Sequence, residues 1–179
     1  MSTQEYIFDA GPLITGCKFA VREQLVIDHL LKHCRIVVPR AAQQEVVIAG
    51  RRHADALQAE QRIAAGAITV TAPTTAPESL KRILRLYELG GGEYQSILLA
   101  HQTGICLAID DYLGYLVCDR LGVQKRFLLD VLVRLAREAE LDRELAREIA
   151  DSVRPRYTTA MVEHTLLMLE EESYEDSSD

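Results

Sequence analysis

Three short runs of apolar residues, Tyr6-Ile7-Phe8, Ile36-Val37-Val38 and Ile105-Cys106-Leu107-Ala108-Ile109, are continuous rather than alternating, and each gives way at once to helical material. A strand that is apolar on both sides of its pleat has to be covered on both faces. A fourth run, Ile68-Thr69-Val70-Thr71, is rich in β-branched residues and precedes a loop from Ala72 to Pro77. Long helical segments separate the runs in a βαβ manner, so an α/β domain with a mostly parallel sheet is expected.

Between the strands, helices are expected near residues 20 to 33, 40 to 49, 54 to 65, 78 to 89, 93 to 103 and 111 to 121, with Pro39, Pro77 and Gly104 as starts or stops. After Gly122 the chain reads as wholly helical. Phe127, Leu128, Val131, Leu132 and Leu135 share one stripe, and further helices are expected near 140 to 153 and 157 to 170.

A length of 179 residues with 48% hydrophobic content suits one domain, taken as residues 1–169 and followed by an acidic tail at 170–179 that is expected to be disordered. The net charge of −7 is unlike the basic footprint of a phosphate-binding protein, but the tail carries six acids and no base, and without it the charge is −1. Arg120, Lys125, Arg126, Arg134 and Arg137 follow one another closely and offer a surface for phosphates, although a solvated helix face accounts for such charges more simply.

No apolar run reaches the roughly 18 residues that cross a bilayer, and the first residues lack a secretory pattern, so a soluble, cytoplasmic protein without membrane association is expected. Cys17, Cys34, Cys106 and Cys118 lie far apart in apolar segments and read as buried free thiols rather than as zinc or redox ligands.

Ligands of parallel α/β sheets bind beyond the carboxyl ends of the strands. Asp9 directly follows the first apolar run, and Asp110 with Asp111 directly follows the run ending at Ile109. Glu45 has Ala41, Ala42, Ile48 and Ala49 as helical neighbours, and Glu93, after Gly90-Gly91-Gly92, has Ile97 and Ala100, so both are expected on inward faces, where an unpaired carboxylate is costly.

Taken singly, each acid has a plainer explanation: Asp9 as a helix cap, Glu93 as a first-turn acid favoured by the helix dipole, and Asp110-Asp111 as the cap of the next helix. Together, two acids at strand ends and two on inward helix faces would repel one another unless cations were bound. Hard oxygen donors without a cysteine or histidine set point to Mg²⁺ or Mn²⁺.

The segments Ile7-Phe8-Asp9-Ala10-Gly11-Pro12-Leu13-Ile14, Val38-Pro39 followed by Glu45, Gly92-Glu93 heading Ile97-Leu98-Leu99-Ala100, and Asp110-Asp111 followed by Leu121-Gly122-Val123 resemble the PIN-domain family. The resemblance covers residues 5 to about 124, continues in layout into the helical end, and is nearest to the small prokaryotic branch that includes toxin-antitoxin nucleases. It implies a three-layer α/β/α domain and a metal-dependent ribonuclease. By position it implies catalytic acids Asp9, Glu45, Glu93 and Asp110, with Asp9, Glu93, Asp110 and, adjacent or alternative, Asp111 as metal ligands. Glu45 is left as either a ligand or the base that orients water.

The chain departs from the family pattern at Ala10-Gly11 and Ile109, where hydroxyl residues are common, and at Tyr112-Leu113-Gly114-Tyr115, where an arginine is common. A PIN-like fold that has lost catalysis and serves as an interaction module is therefore the alternative. A dehalogenase-type phosphatase would need DxD after its first strand, a receiver would carry its acidic pair early, and Gly90-Gly91-Gly92 lacks the dinucleotide-binding spacing. Expected partners are an RNA substrate, an antitoxin-like protein, and a second copy of the chain packed through helical surfaces such as Met161 to Leu169.

Overall fold

The computed structural model describes residues 4–138 and 140–175. Five strands form one all-parallel sheet: β1 (Gln4–Phe8), β4 (Cys34–Pro39), β5 (Ile68–Thr71), β6 (Cys106–Ala108) and β7 (Lys125–Arg126), in the spatial order β5-β4-β1-β6-β7. Tyr6 stands beside Ile36 on one flank and Cys106 on the other, and Ile7 stands between Val37 and Leu107. From β1 the chain steps outward through β4 and β5, then returns to the other side for β6 and β7. The reversal lies between β1 and β6, the point where a parallel sheet opens a crevice at its carboxyl edge.

The unbroken apolar runs are explained by the two faces of this sheet. Tyr6, Phe8, Ile36 and Val38 enter one core with α1 (Ala10–Lys18), α4 (Ala54–Ala64), α8 (Leu128–Arg137), α9 (Arg143–Ser152) and α10 (Thr159–Glu175). Ile7, Val37, Leu107 and Ile109 enter the other with α5 (Glu78–Arg85), α6 (Gly91–Thr103) and α7 (Tyr112–Leu121). Three layers follow from strands that alternate between two buried faces. The apolar stripe of α8 is absorbed within the chain, since Leu128, Val131, Leu132 and Leu135 are fully buried, whereas Leu167 on α10 is exposed. Cys17, Cys34 and Cys118 are buried free thiols, and Cys106 is half-buried.

The helix expected over 20 to 33 is corrected by the structure. That segment is a hairpin, β2 (Ala20–Val21) with β3 (Gln24–Leu25), followed by the short α2 (Val26–Leu30). The turn residues Arg22 and Glu23 hold φ of 49° and 64°, the pair of positive values that a two-residue primed hairpin requires. Neither is a glycine or asparagine, so the turn has no compositional mark. The stretch 40 to 49 also differs from a plain helix: α3 (Arg40–Gln43) runs into a π-helical segment, Gln44–Ala49.

At the far end, a 3-10 turn (Arg154–Arg156) leads from α9 into α10, which reaches Glu175 and so takes in part of the acidic stretch expected to be disordered; residues 176–179 lie outside the described residues. Among the described residues, no helix is long and apolar enough to cross a membrane.

Candidate active site

β1 hands directly over to α1 through Asp9, which occupies the N-cap position and is 4% exposed. Its backbone N–H donates to Ala108 O at 3.0 Å, tying the end of β1 to the end of β6. The carboxylate is fixed from the opposite layer, where the fully buried Ser96 of α6 donates its hydroxyl to Asp9 Oδ1 at 2.8 Å. Burial pushes the Asp9 carboxyl up to about 6, repulsion from Glu93 and Glu45 adds to the rise, and the Ser96 hydroxyl and Ala10 amide oppose it.

Glu45 and Glu93 meet at the amino end of α6. The Gly92 N–H donates to Glu45 Oε1 at 2.7 Å, and the Gly90 N–H donates to Glu93 Oε2 at 3.1 Å. A helix N-terminus offers unpaired amides and a positive dipole end, so it attracts both carboxylates. Burial, with repulsion from Asp111 and Glu45, raises the Glu93 carboxyl.

Gly92 has a steric reason here, because a Cβ at that position would lie 2.5 Å from Glu45 Oε2. The obstructing atom is the end of a flexible side chain. Gly92→Ala is therefore expected to change stability by less than about 1 kcal/mol, since alanine also favours the helix, while driving Glu45 out of place. Thermal melting checks the first part and a crystal structure of the variant the second; a Glu45 side chain still bonded to the residue-92 amide would contradict it.

The orientation expected for Glu45 is not observed. Glu45 is exposed rather than on the buried face, because the π-helical segment begins at Gln44 and its wider turn breaks the 3.6-residue phase on which that expectation rested. Glu93 is half-buried and turned back on its own helix end, as a first-turn capping acid.

Asp110 lies across the crevice beside the amino end of α1, where a Cβ on Gly11 would come within 3.5 Å of its own Cβ. The Tyr157 hydroxyl donates to Asp110 Oδ2 at 2.6 Å, and the Leu128 N–H donates to Oδ1 at 3.3 Å. Burial raises the Asp110 carboxyl, while Tyr157, the Leu128 amide and Arg156 favour its ionised form. Asp111 is exposed and caps α7, accepting from Gly114 N at 2.7 Å.

Asp9, Glu45 and Glu93 thus form one electrostatic group around α6, with Asp111 acting on Glu93, while Asp110 is bonded by Tyr157 and the Leu128 amide. Among the described residues, no three Asp, Glu, His or Cys side chains converge into a set that could hold a metal ion. Two members of the site escaped the sequence reading. Ser96 is a lone hydroxyl three residues after Glu93 in an apolar helix, a signal that was available; Tyr157, forty-seven residues beyond Asp110, gave none.

A family model described as a PIN domain matches residues 5–166, a span that includes every acid of the crevice together with Ser96 and Tyr157. The chain belongs to the PIN-domain family. No curated protein matches the sequence. PIN domains are generally nucleases and typically act with divalent metal ions. The candidate donors of this PIN domain are all carboxylate oxygens, the donor type that hard divalent ions prefer.

Proposed function

We propose that this PIN domain is a Mg²⁺- or Mn²⁺-dependent endoribonuclease, with Asp9, Glu45, Glu93 and Asp110 as its catalytic acids. The observation that carries the reading is the environment of Asp9, a buried strand-end carboxylate at the sheet reversal that is raised to about 6 and repelled by Glu45 and Glu93. In this reading Asp9, Glu93 and Asp110, with Asp111 adjacent, hold the ion. Bound there, a divalent ion supplies Lewis acidity and a water of lowered pKa.

The chain's own groups do the positioning. Ser96 fixes one oxygen of Asp9, and Tyr157 and the Leu128 amide fix the two oxygens of Asp110. Glu45 and Glu93 are held by the Gly92 and Gly90 amides, and with an ion bound they would turn from these amides toward the ion or its water. Glu45, the most exposed of the four, is the one suited to orient a water as base.

Cleavage of a labelled single-stranded RNA in Mg²⁺, in Mn²⁺ and in EDTA tests this. Wild type is expected to cut only with a divalent ion, and Glu93→Gln to lose at least about a hundredfold in rate, the scale of a lost general acid–base or charge contribution. Equal cutting in EDTA, or by Glu93→Gln, contradicts the proposal. A second reading, a PIN domain that binds without cutting, is favoured by the amide bonds that already satisfy Glu45, Glu93 and Asp111. Divalent binding with no cleavage in any of these conditions would establish it.

A further inference from the structure

Beside Asp110, between the turn joining β7 to α8 and the first turns of α10, the surface opens into a cleft of about 420 Å³ bordered by Phe127, Tyr115, Met161 and His164. That volume lies within the range of roughly 300–1,000 Å³ that holds small ligands. Phe127 and Tyr115 are stacked in parallel, with centroids 4.5 Å apart and planes 4° from parallel, and Lys125 caps the Tyr115 ring at 4.6 Å. Phe127 is half-buried where it borders the cleft.

The two segments that carry the walls of the cleft are bonded to the same acid of the candidate site. Leu128, next to Phe127, donates its N–H to Asp110, and Tyr157, just before α10, donates its hydroxyl to Asp110. In the other direction the cleft shares Asp130 with a second hollow of about 250 Å³ that is bordered by Arg126 and Arg134. On α10 the borders of the two hollows, Thr165 and Met168, stand one turn apart. Arg134 is engaged by Glu138 at 3.0 Å, but both side chains are more than a third exposed, and such a surface pair contributes little and is readily exchanged.

An aromatic face followed by cationic side chains is the pattern that binds a single strand, bases on the ring and phosphates on the cations. We propose that this groove is a base-binding subsite for single-stranded RNA, with one nucleobase against Phe127 and the neighbouring phosphates passing Arg126 and Arg134. It rests on the ribonuclease reading for its ligand and adds to it the path that the strand takes away from the carboxylates. The stacked Phe127 ring favours nucleic acid over an acidic partner segment, because both would meet the arginines but only a nucleic acid carries bases to lie against the ring, and continuity with Asp110 favours a strand that also reaches the reacting centre.

The test is fluorescence anisotropy of the full chain in EDTA with an end-labelled oligoribonucleotide of about ten residues, near the size of known single-strand sites, and with its abasic counterpart. Phe127→Leu removes the ring and keeps apolar volume. Ala160→Glu places a negative charge at the exposed mouth of the cleft, in the first turn of α10, where an acid is tolerated by the helix dipole. Phe127→Leu is expected to weaken binding of the normal strand by about tenfold or more, as loss of a stacked base does, and to affect the abasic strand far less, whereas Ala160→Glu, acting by charge on the backbone, is expected to weaken both strands.

Unchanged affinity in both variants, or equal affinity of wild type for normal and abasic strands, overturns the subsite. So does loss of self-association by light scattering with RNA binding intact, which would make the cleft an interface between copies. The two proposals fail separately. Variants that bind normally while wild type cuts RNA remove the subsite alone, whereas variants that bind weakly while wild type never cuts remove the nuclease reading alone. Wild type that binds no RNA overturns both.

Discussion

Asp9→Asn is expected to stabilise the metal-free protein. An acid whose folded pKa is raised from 3.8 to about 6 holds its proton more tightly in the native state than in the unfolded chain. Its contribution is therefore fully favourable below the unfolded value, fades as pH rises, and has become a penalty once pH passes about 6. A shift of this size corresponds to at most about 3 kcal/mol, or several degrees of melting temperature in a domain of this length. Asparagine keeps an oxygen for the Ser96 hydroxyl and carries no charge. In EDTA the variant should melt several degrees above wild type at about pH 8 and converge with it at about pH 4, while losing RNA cleavage. Melting curves of the two proteins across that range decide the matter. A variant less stable than wild type at the higher pH would mean that Asp9 is a structural acid and not a strained one.

The second large effect concerns Gly50, which closes the π-helical segment. A Cβ there would lie 2.2 Å from the Val46 carbonyl oxygen, a backbone atom that cannot turn aside. The Gly50 N–H is also held by the Glu45 carbonyl at 3.2 Å, so relief of the clash has to move the turn that carries Glu45. Gly50→Ala is expected to destabilise the domain by about 3 kcal/mol, the upper range for overpacking, and to lower RNA cleavage further than Gly92→Ala does. Urea denaturation and cleavage rates check both parts. Wild-type stability in Gly50→Ala would mean that the π-helical segment relaxes freely.

The parallel sheet could be read from the sequence because its strands are covered on both faces. Ile36-Val37-Val38 and Ile105 to Ile109 had to be continuous, and their spacing left room only for crossover helices. β7 escaped notice because it is a two-residue edge strand made of Lys125 and Arg126, with no apolar signal at all. The hairpin at Arg22-Glu23 escaped because its turn takes positive φ without the residues that usually advertise it.

The same division holds at the candidate site. Asp9 and Asp110 were legible from position alone, since a polar residue at the end of a buried strand stands at the crevice. The setting of Glu45 was not, because a change from α to π winding leaves no mark in the hydrophobic pattern yet rotates every later side chain. Ser96 and Tyr157 supply the hydrogen bonds that hold the two aspartates, and both come from elements distant in sequence, a pairing that only tertiary packing creates.

The most direct measurement is calorimetric titration of Mn²⁺ into wild type, Asp9→Asn and Asp110→Asn. Wild type is expected to bind the ion, and each substitution to weaken it by at least about tenfold, a loss of roughly 1.4 kcal/mol. Affinity that is the same in all three proteins would contradict a divalent site built on these carboxylates.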